Sequence, residues 1–292
     1  MRAVVCRELS GLDGLGVEQL PVPEPGPGQV LIRVRTAGLN FADSLIIKGQ
    51  YQDRPPLPFV PGMEIAGQIE AFGEGVVGLA RGERVLATLG HGGFAEAAVA
   101  QADDVVRLPD AVDDVSAASL PIAYGTSYGA LCWAGRLQAG ETLMVHGAGG
   151  GAGLAAVECG HVFGAKVIAT ARGPAHLEAA RTHGADHLID TAQEDVRERA
   201  LELTGGRGAD VIFDPIGGDL FSASLRAVAW EGRILVIGFA SGTIPQIPAN
   251  RLLLKNAGAI GFYWGGYRRR DPARVRACFD QLLRWCADGN IR

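Results

Sequence analysis

His146-Gly147-Ala148-Gly149-Gly150-Gly151-Ala152-Gly153 stands directly between a short apolar run, Leu143-Met144-Val145-His146, and a stretch of helical character from Gly151 to Phe163. A dinucleotide pyrophosphate needs three things at such a junction: a tight turn, close approach of backbone to phosphate, and a helix packed close to its strand. Ala148, Gly150 and Gly153 occupy the G-x-G-x-x-G spacing, with alanine in the first slot. Gly149, Gly151 and Ala152 complete a turn whose following N–H groups would face the anion. The pattern alone is weak in a chain with 42 glycines, so its weight comes from the flanking strand and helix.

Outward from the turn, the downstream sequence alternates strand and helix. Strands are expected at Lys166 to Ala171, His187 to Asp190, Asp210 to Asp214 and Arg233 to Ile237. Helices are expected at Pro174 to His183, Asp195 to Thr204 and Leu220 to Trp230. Short apolar strands joined by helices imply a parallel sheet covered on both faces, a doubly wound α/β fold. Upstream, the texture is that of short strands between Gly- and Pro-rich turns: Val30 to Arg35, Ile65 to Ala71 and Arg84 to Thr88. That spacing suggests a small β-rich, barrel-like domain. The expected organisation is a β-rich domain over 1–118, a dinucleotide-binding domain over 119–258, and a segment over 259–292 that returns to the first.

The choice of dinucleotide turns on the end of the second strand. NAD-preferring sites usually place an acid there for the ribose hydroxyls. Here the strand ends in Arg172, followed by Gly173, Pro174, Ala175 and His176. A cation suits a 2′-phosphate, which a carboxylate would repel. The expected cofactor is NADPH, with Arg172 and His176 among its contacts; the alternative for Arg172 is a side chain turned to solvent.

The chain has 292 residues and a net charge of −5. That balance gives no support to a nucleic-acid surface. Arg268, Arg269 and Arg270 form the one basic cluster and read as a solvated loop or helix start. Five sparse cysteines without a CxxC pair fit a reduced, cytoplasmic protein. The N-terminus meets charge too early for a signal peptide, and no apolar run reaches the length of a membrane span.

Ala37-Gly38-Leu39-Asn40-Phe41-Ala42-Asp43, with Gly49-Gln50-Tyr51, resembles the signature segment of the quinone oxidoreductases, members of the medium-chain dehydrogenase/reductase superfamily. The resemblance continues through Pro58 to Gly67, Gly82-Glu83-Arg84-Val85, Gly92 to Glu96 and Ala123 to Tyr128, covering nearly the whole chain. It implies a chaperonin-10-like catalytic domain followed by a Rossmann domain, a cofactor in the cleft between them, and a homodimer. It also implies cofactor contacts at Thr126, at Gly217, at Gly238 and Phe239, and in the Phe262 to Gly265 segment; a buried β-strand is an equal reading for Phe262-Tyr263-Trp264. Relatives have Tyr where Leu45 and Thr191 stand, and they generally run on for some tens of residues, so the chain is expected to be incomplete at its C-terminus.

Zinc-dependent members of the superfamily carry Cys where Asn40 stands and His where Met63 stands. Neither amide nor thioether is a normal zinc ligand, so no metal is expected. Without a Lewis acid, alcohol oxidation becomes hard. Hydride addition to a small, apolar, electrophilic acceptor, a quinone or α,β-unsaturated carbonyl, needs only neutral donors for the oxygen that gains charge. Asn40 and Tyr51 are donors of that type, and the resemblance makes them the expected catalytic residues; a loop-stabilising Asn and a packed Tyr are the alternatives. An enoyl-type reductase of unsaturated ketones or thioesters is the alternative within enzymes. An NADPH-binding sensor without turnover is the alternative outside them.

Overall fold

A computed structural model describes residues 1–292. Residues 1–122 with 267–290 and 292 form one compact unit, and residues 123–266 with 291 form a second.

The first unit opens with an antiparallel pair, β1 (Arg2–Cys6) and β2 (Leu15–Gln19). Its main sheet is built from β3 (Gln29–Ala37), β4 (Glu64–Phe72), β5 (Arg84–Thr88), β6 (Ala97–Gln101) and β7 (Val105–Arg107). All pairings are antiparallel, in the order β6-β3-β4-β5-β7. Val30, Ile32, Ile65, Ile69, Val85 and Val105 bury one face, as period-2 alternation requires. Helix α1 (Phe41–Ile46) follows β3, and α2 (Asp114–Ser119) follows β7. Asp113 caps α2 by accepting from the Val115 and Ser116 N–H groups at 2.8 and 2.9 Å. The chain then passes through a π-helical turn, Leu120–Tyr124, into α3 (Gly125–Gly129).

The second unit alternates strand and helix: β8 (Thr142–His146), α4 (Gly151–Val162), β9 (Lys166–Ala171), α5 (Pro174–Thr182), β10 (His187–Asp190), α6 (Val196–Leu203), β11 (Ala209–Asp214), α7 (Gly218–Ala227), β12 (Val228–Val236), α8 (Ala249–Leu253) and β13 (Gly258–Gly261). The six strands are parallel, ordered β10-β9-β8-β11-β12-β13. This is the expected doubly wound Rossmann topology. Order reverses between β8 and β11, so the 146–153 turn lies at the switch point, where α/β sheets bind ligands. Met144, Ile168, Ile189, Ile212, Phe221 and Ile234 form the core beneath.

One expected helix is shorter than its sequence pattern. Leu220 to Trp230 read as helical, but α7 stops at Ala227 and Val228 already pairs with Ala209 in β12. The apolar Val228-Ala229-Trp230 suits either period. Tertiary pairing selects the strand, and Glu231 (φ 59°) leads into Gly232 before the β11 pairing resumes at Arg233.

A ninth helix, α9 (Trp264–Arg270), precedes α10 (Pro272–Ala287), whose N-cap Asp271 accepts from the Arg274 N–H at 3.1 Å. Residues 267–290 belong to the first unit. Arg268 corrects the reading of its cluster as solvated. Its guanidinium makes bonds of 2.7 and 3.2 Å to the Asp104 carboxylate and donates to the Thr88 and Leu89 carbonyls at 3.1 and 3.0 Å. A planar fork with several donors suits such multiple anchoring. Arg269 faces Asp53 more loosely, at 3.8 Å.

Candidate functional site

In the second unit, the turn after β8 is shaped by contacts that admit no side chain. Gly147 takes a left-handed φ of 60°, and the Gly150 N–H closes the turn on the Gly147 carbonyl at 3.0 Å. A Cβ at Gly153 would lie 2.1 Å from that same carbonyl oxygen, and one at Gly149 would lie 2.4 Å from the His176 Cβ. Gly151, by contrast, faces open space, and Gly150 is exposed with it. Gly150 is the N-cap of α4 and offers no side-chain cap, so the first-turn N–H groups of the helix keep their capacity for an anion. Ser127 on α3 donates to the Ala152 carbonyl at 2.9 Å and ties α3, with half-buried Thr126, to the turn.

Gly217 and Phe239 come together as well. A Cβ on Gly217 (φ 71°) would meet the Phe239 ring at 3.1 Å and the Thr243 carbonyl at 2.9 Å. Asp214, buried at the end of β11, accepts from the Ile216 and Gly217 N–H groups, both at 2.8 Å, and so shapes this loop. Ile216 reaches the first turn, since a Cβ on Gly147 would be 2.7 Å from its Cδ1. Gly238 packs over Pro215, 3.3 Å from its carbonyl oxygen to a built Cβ. The loops after β8, β11 and β12 therefore form one continuous rim.

Arg172 is exposed after β9, and its guanidinium pairs with no carboxylate. His176 Nδ1 lies 3.0 Å from the Arg172 carbonyl; a carbonyl only accepts, so that nitrogen carries the proton. Asp190 ends β10 nearby, but its Oδ1 is taken by the Gly173 and Ala192 N–H groups at 3.2 and 3.0 Å. Phe262 is buried, packed on Trp133 and facing Gly129, whose built Cβ would be 2.6 Å from its ring. Gly265 abuts Tyr263 in the first turn of α9. Phe262 lies immediately after β13 and Trp264 opens α9, so this segment is not the buried strand of the alternative reading.

Spacing gave no hint of the polar chain beneath the turn. His146, fully buried, sits between the Thr170 and Ser224 hydroxyls at 2.8 and 2.7 Å. Burial lowers its pKa and keeps the ring neutral.

In the first unit, Asn40 is the N-cap of α1. Asp43 accepts from the Asn40 backbone N–H at 2.8 Å. The Asn40 side-chain amide donates from Nδ2 to Glu64 Oε1 at 2.6 Å, and the Ile122 N–H donates to Glu64 Oε2 at 2.8 Å. Asp43 and Glu64 are each only 2% exposed. Burial pushes the Glu64 carboxyl up to about 7, with the Asn40 and Ile122 donors opposing and the Asp43 charge adding to the rise. Burial also lifts Asp43 to about 6, against the N–H groups of Asn40 and Gly62. Sequence reading missed this acid pair, although Gly38 marks it: a Cβ there would be 2.1 Å from Glu64 Oε1. Tyr51 is half-buried beside a cluster of Cys6, Ile46, Ile47, Phe59 and Met63. The Met63 thioether is thus part of an apolar core, and no three His, Cys, Asp or Glu side chains are grouped so as to hold a metal.

Two family models match the chain: an alcohol dehydrogenase GroES-like domain over residues 26–110 and a zinc-binding dehydrogenase over residues 151–287. The quinone oxidoreductase-like protein 2 homolog of Nematostella vectensis is 42% identical over 293 residues, covering 100% of this chain and 80% of that protein. The chain belongs to the quinone oxidoreductase family of the medium-chain dehydrogenase/reductase superfamily. Solved relatives agree. The quinone oxidoreductase of Thermus thermophilus, also solved in complex with NADPH, is 33% identical with a TM-score of 0.84, covering 98% of this chain and 87% of that one. The Escherichia coli quinone oxidoreductase complexed with NADPH is 26% identical with a TM-score of 0.94, covering 100% and 90%. The two-domain architecture is that of the family, a GroES-like domain and a Rossmann-like domain, and the family is one of oxidoreductases. No helix is long and apolar enough to cross a membrane.

Proposed function

We propose that this chain is an NADPH-dependent reductase of quinones or similar conjugated carbonyls that works without a metal. The observation that carries the reading is the uncapped N-terminus of α4, open at Gly150 and Gly151, inside a Rossmann unit at its switch point. That opening fits a pyrophosphate, because backbone donors face space that no side chain of the turn fills. When bound, NADPH supplies a hydride, two electrons and a hydrogen nucleus, and is left as NADP⁺; one proton completes reduction of the acceptor.

The first-turn N–H groups of α4, from Gly151 and Ala152, hold the pyrophosphate, with Ala148, Gly149, Gly150 and Gly153 giving the close approach. The unpaired guanidinium of Arg172 meets the 2′-phosphate, beside His176. Thr126, Gly217, Gly238, Phe239 and the segment through Gly265 complete the nucleotide contacts, and Phe262 supports them from the core. Asn40 and Tyr51 donate to the acceptor oxygen as it gains negative charge, the task a metal performs in zinc-dependent members. Met63 supplies no ligand for such a metal. The reading extends to a small, apolar, electrophilic acceptor and a cytoplasmic homodimer.

The test is the fall in NADPH absorbance with ortho- and para-quinones and with an enone, repeated with NADH and after a chelator. Quinone turnover that survives the chelator is expected. Turnover of the enone alone would make the enzyme an enoyl-type reductase. NADPH binding with no turnover on any acceptor would make the chain a sensor, and chelator-sensitive turnover would overturn the metal-free reading.

A further inference from the structure

Asn40 has one buried partner that the proposed reaction has not used. The Glu64 carboxylate accepts from two donors at once, the Asn40 amide at 2.6 Å and the Ile122 N–H at 2.8 Å. The second is backbone and cannot turn. The first is a side-chain amide, half-buried, whose two edges differ: one carries two N–H donors, the other only an acceptor oxygen. An ionised Glu64 accepts only, so it takes one of the amide N–H donors for itself. A protonated Glu64 has one O–H to give. With Oε2 held by Ile122, that O–H lies on Oε1, where its partner becomes the Asn40 Oδ1 once the amide turns over and gives up its cap on the Asp43 N–H.

We infer that Glu64 is a positioning residue for hydride transfer: its protonation state sets which edge of the Asn40 amide faces the acceptor. This rests on the reading of Asn40 as a donor to the acceptor oxygen. With Glu64 ionised, one N–H is spent and a buried negative charge lies next to the amide that must stabilise an oxyanion. With Glu64 protonated, both N–H groups are released and the charge is gone.

The surroundings leave Glu64 coupled to one other acid. Helix α1 brings Asp43, whose charge acts directly on it and whose Oδ1 makes no hydrogen bond. The other charged groups on neighbouring elements are engaged elsewhere. Arg33 of β3 pairs with Glu70 at 2.6 Å, and Arg84 of β5 pairs with Asp114 of α2 at 2.7 Å. Arg35 of β3 lies 3.8 Å from the same Asp114, and Arg268 pairs with Asp104 at 2.7 Å. His91, in the loop after β5, has its pKa lowered by burial, which leaves it neutral above the usual histidine range. The Asp43 charge therefore adds to the rise that burial gives Glu64, and it is the one acid that does so. Gly38 supports the arrangement, since any side chain there would strike Glu64 Oε1 and the Ala118 carbonyl of α2.

The experiment is kcat against pH on the full chain with a quinone, under conditions where deuterated NADPH shows that hydride transfer limits the rate. For the unaltered protein, kcat is expected to fall by about tenfold as pH rises from about 6 to about 8, with the Kd for NADPH constant. Glu64→Gln, which offers a permanent N–H to Asn40 Oδ1, removes the fall. Asp43→Asn moves its midpoint to lower pH by removing a neighbouring charge. Independently of turnover, the Asn40 side-chain NH₂ resonances of the free protein should shift with the same midpoint as kcat. A flat profile in the unaltered protein, an unaltered profile in Glu64→Gln, or Asn40 resonances indifferent to pH would each overturn the inference. Asn40→Ala separates the two levels. If it leaves kcat intact, the donor reading of Asn40 fails; if it lowers kcat while Glu64→Gln keeps the ordinary profile, only the role of Glu64 fails.

Discussion

A side chain at Gly153 would begin 2.1 Å from the carbonyl oxygen of Gly147. The first helical turn of α4 thus rests directly on the backbone of the preceding turn, and the dinucleotide turn keeps its shape only while position 153 has no Cβ. Gly153→Ala must push the helix away from the strand. The expected result is a loss of about 1–3 kcal/mol in stability and a rise of at least about tenfold in the Kd for NADPH, read from thermal melting and nucleotide fluorescence. Gly151→Ala meets nothing within 4 Å and removes a helix glycine, so its stability should hold or rise slightly. Equal destabilisation by both would count against the close approach at 153.

Arg172 has no acid to pair with, and a charged hydrogen bond to a phosphate contributes roughly 1.5–3 kcal/mol. Arg172→Ala should raise KM for NADPH by about tenfold or more and leave KM for NADH nearly as it was. Steady-state kinetics with both nucleotides decide this. A parallel rise in the two would place Arg172 away from the 2′-phosphate.

Asn40→Ala should lower kcat by about a hundredfold, the usual cost of removing one oxyanion donor. Tyr51→Phe keeps the ring beside Phe59 and Met63 and removes only the hydroxyl, so its effect reports the O–H alone. A Tyr51→Phe enzyme as fast as the parent would leave Asn40 as the sole donor and water as the proton source.

Stability should carry the mark of Glu64 as well. Burial raises Asp43 to about 6 and Glu64 to about 7, so the folded chain binds more protons than the unfolded one between those values and the ordinary carboxyl range. For such groups the folded state is favoured most below the unfolded pKa, and that advantage is lost as pH rises through the folded one. Glu64 alone accounts for about 3 kcal/mol of this. His91 and His146, lowered by burial, act in the opposite sense near the usual histidine range. The difference between parent and Glu64→Gln isolates the acid. Urea unfolding should show the variant gaining about 3 kcal/mol on the parent between about pH 4.5 and about pH 8. A constant difference would mean that Glu64 is not raised.

Arg268→Ala should cost about 2–4 kcal/mol, because it strands the Asp104 carboxylate and the Thr88 and Leu89 carbonyls together. Chemical denaturation measures it; a loss below about 0.5 kcal/mol would make the contact a surface pair of little consequence.

The parallel sheet was legible because its local signals agree. At β9 and β10 apolar strands meet Gly- and Pro-marked helix ends, and the expected bounds coincide with the observed ones. The end of α7 was not legible, because Val228, Ala229 and Trp230 fit either period and only their pairing with β11 settles the matter. At the candidate site, the glycine turn announces itself in one dimension. The Asn40–Glu64 bond does not, since its partners stand 24 residues apart and neither residue type is unusual by itself. Arg268 misled for the same reason: three adjacent arginines look solvated until partners 164 to 180 residues away fold beneath one of them.

Those Arg268 bonds also set an order of events during synthesis. The second unit is drawn from one nearly unbroken stretch, so it can close soon after residue 266 leaves the ribosome. The first unit must wait with Asp104 and two strand-end carbonyls unanswered until residues 267–290 emerge, although its own sheet was made earlier. The sheet of the first unit is therefore made before the second unit and tied down after it, a long-range closure of the kind that slows folding.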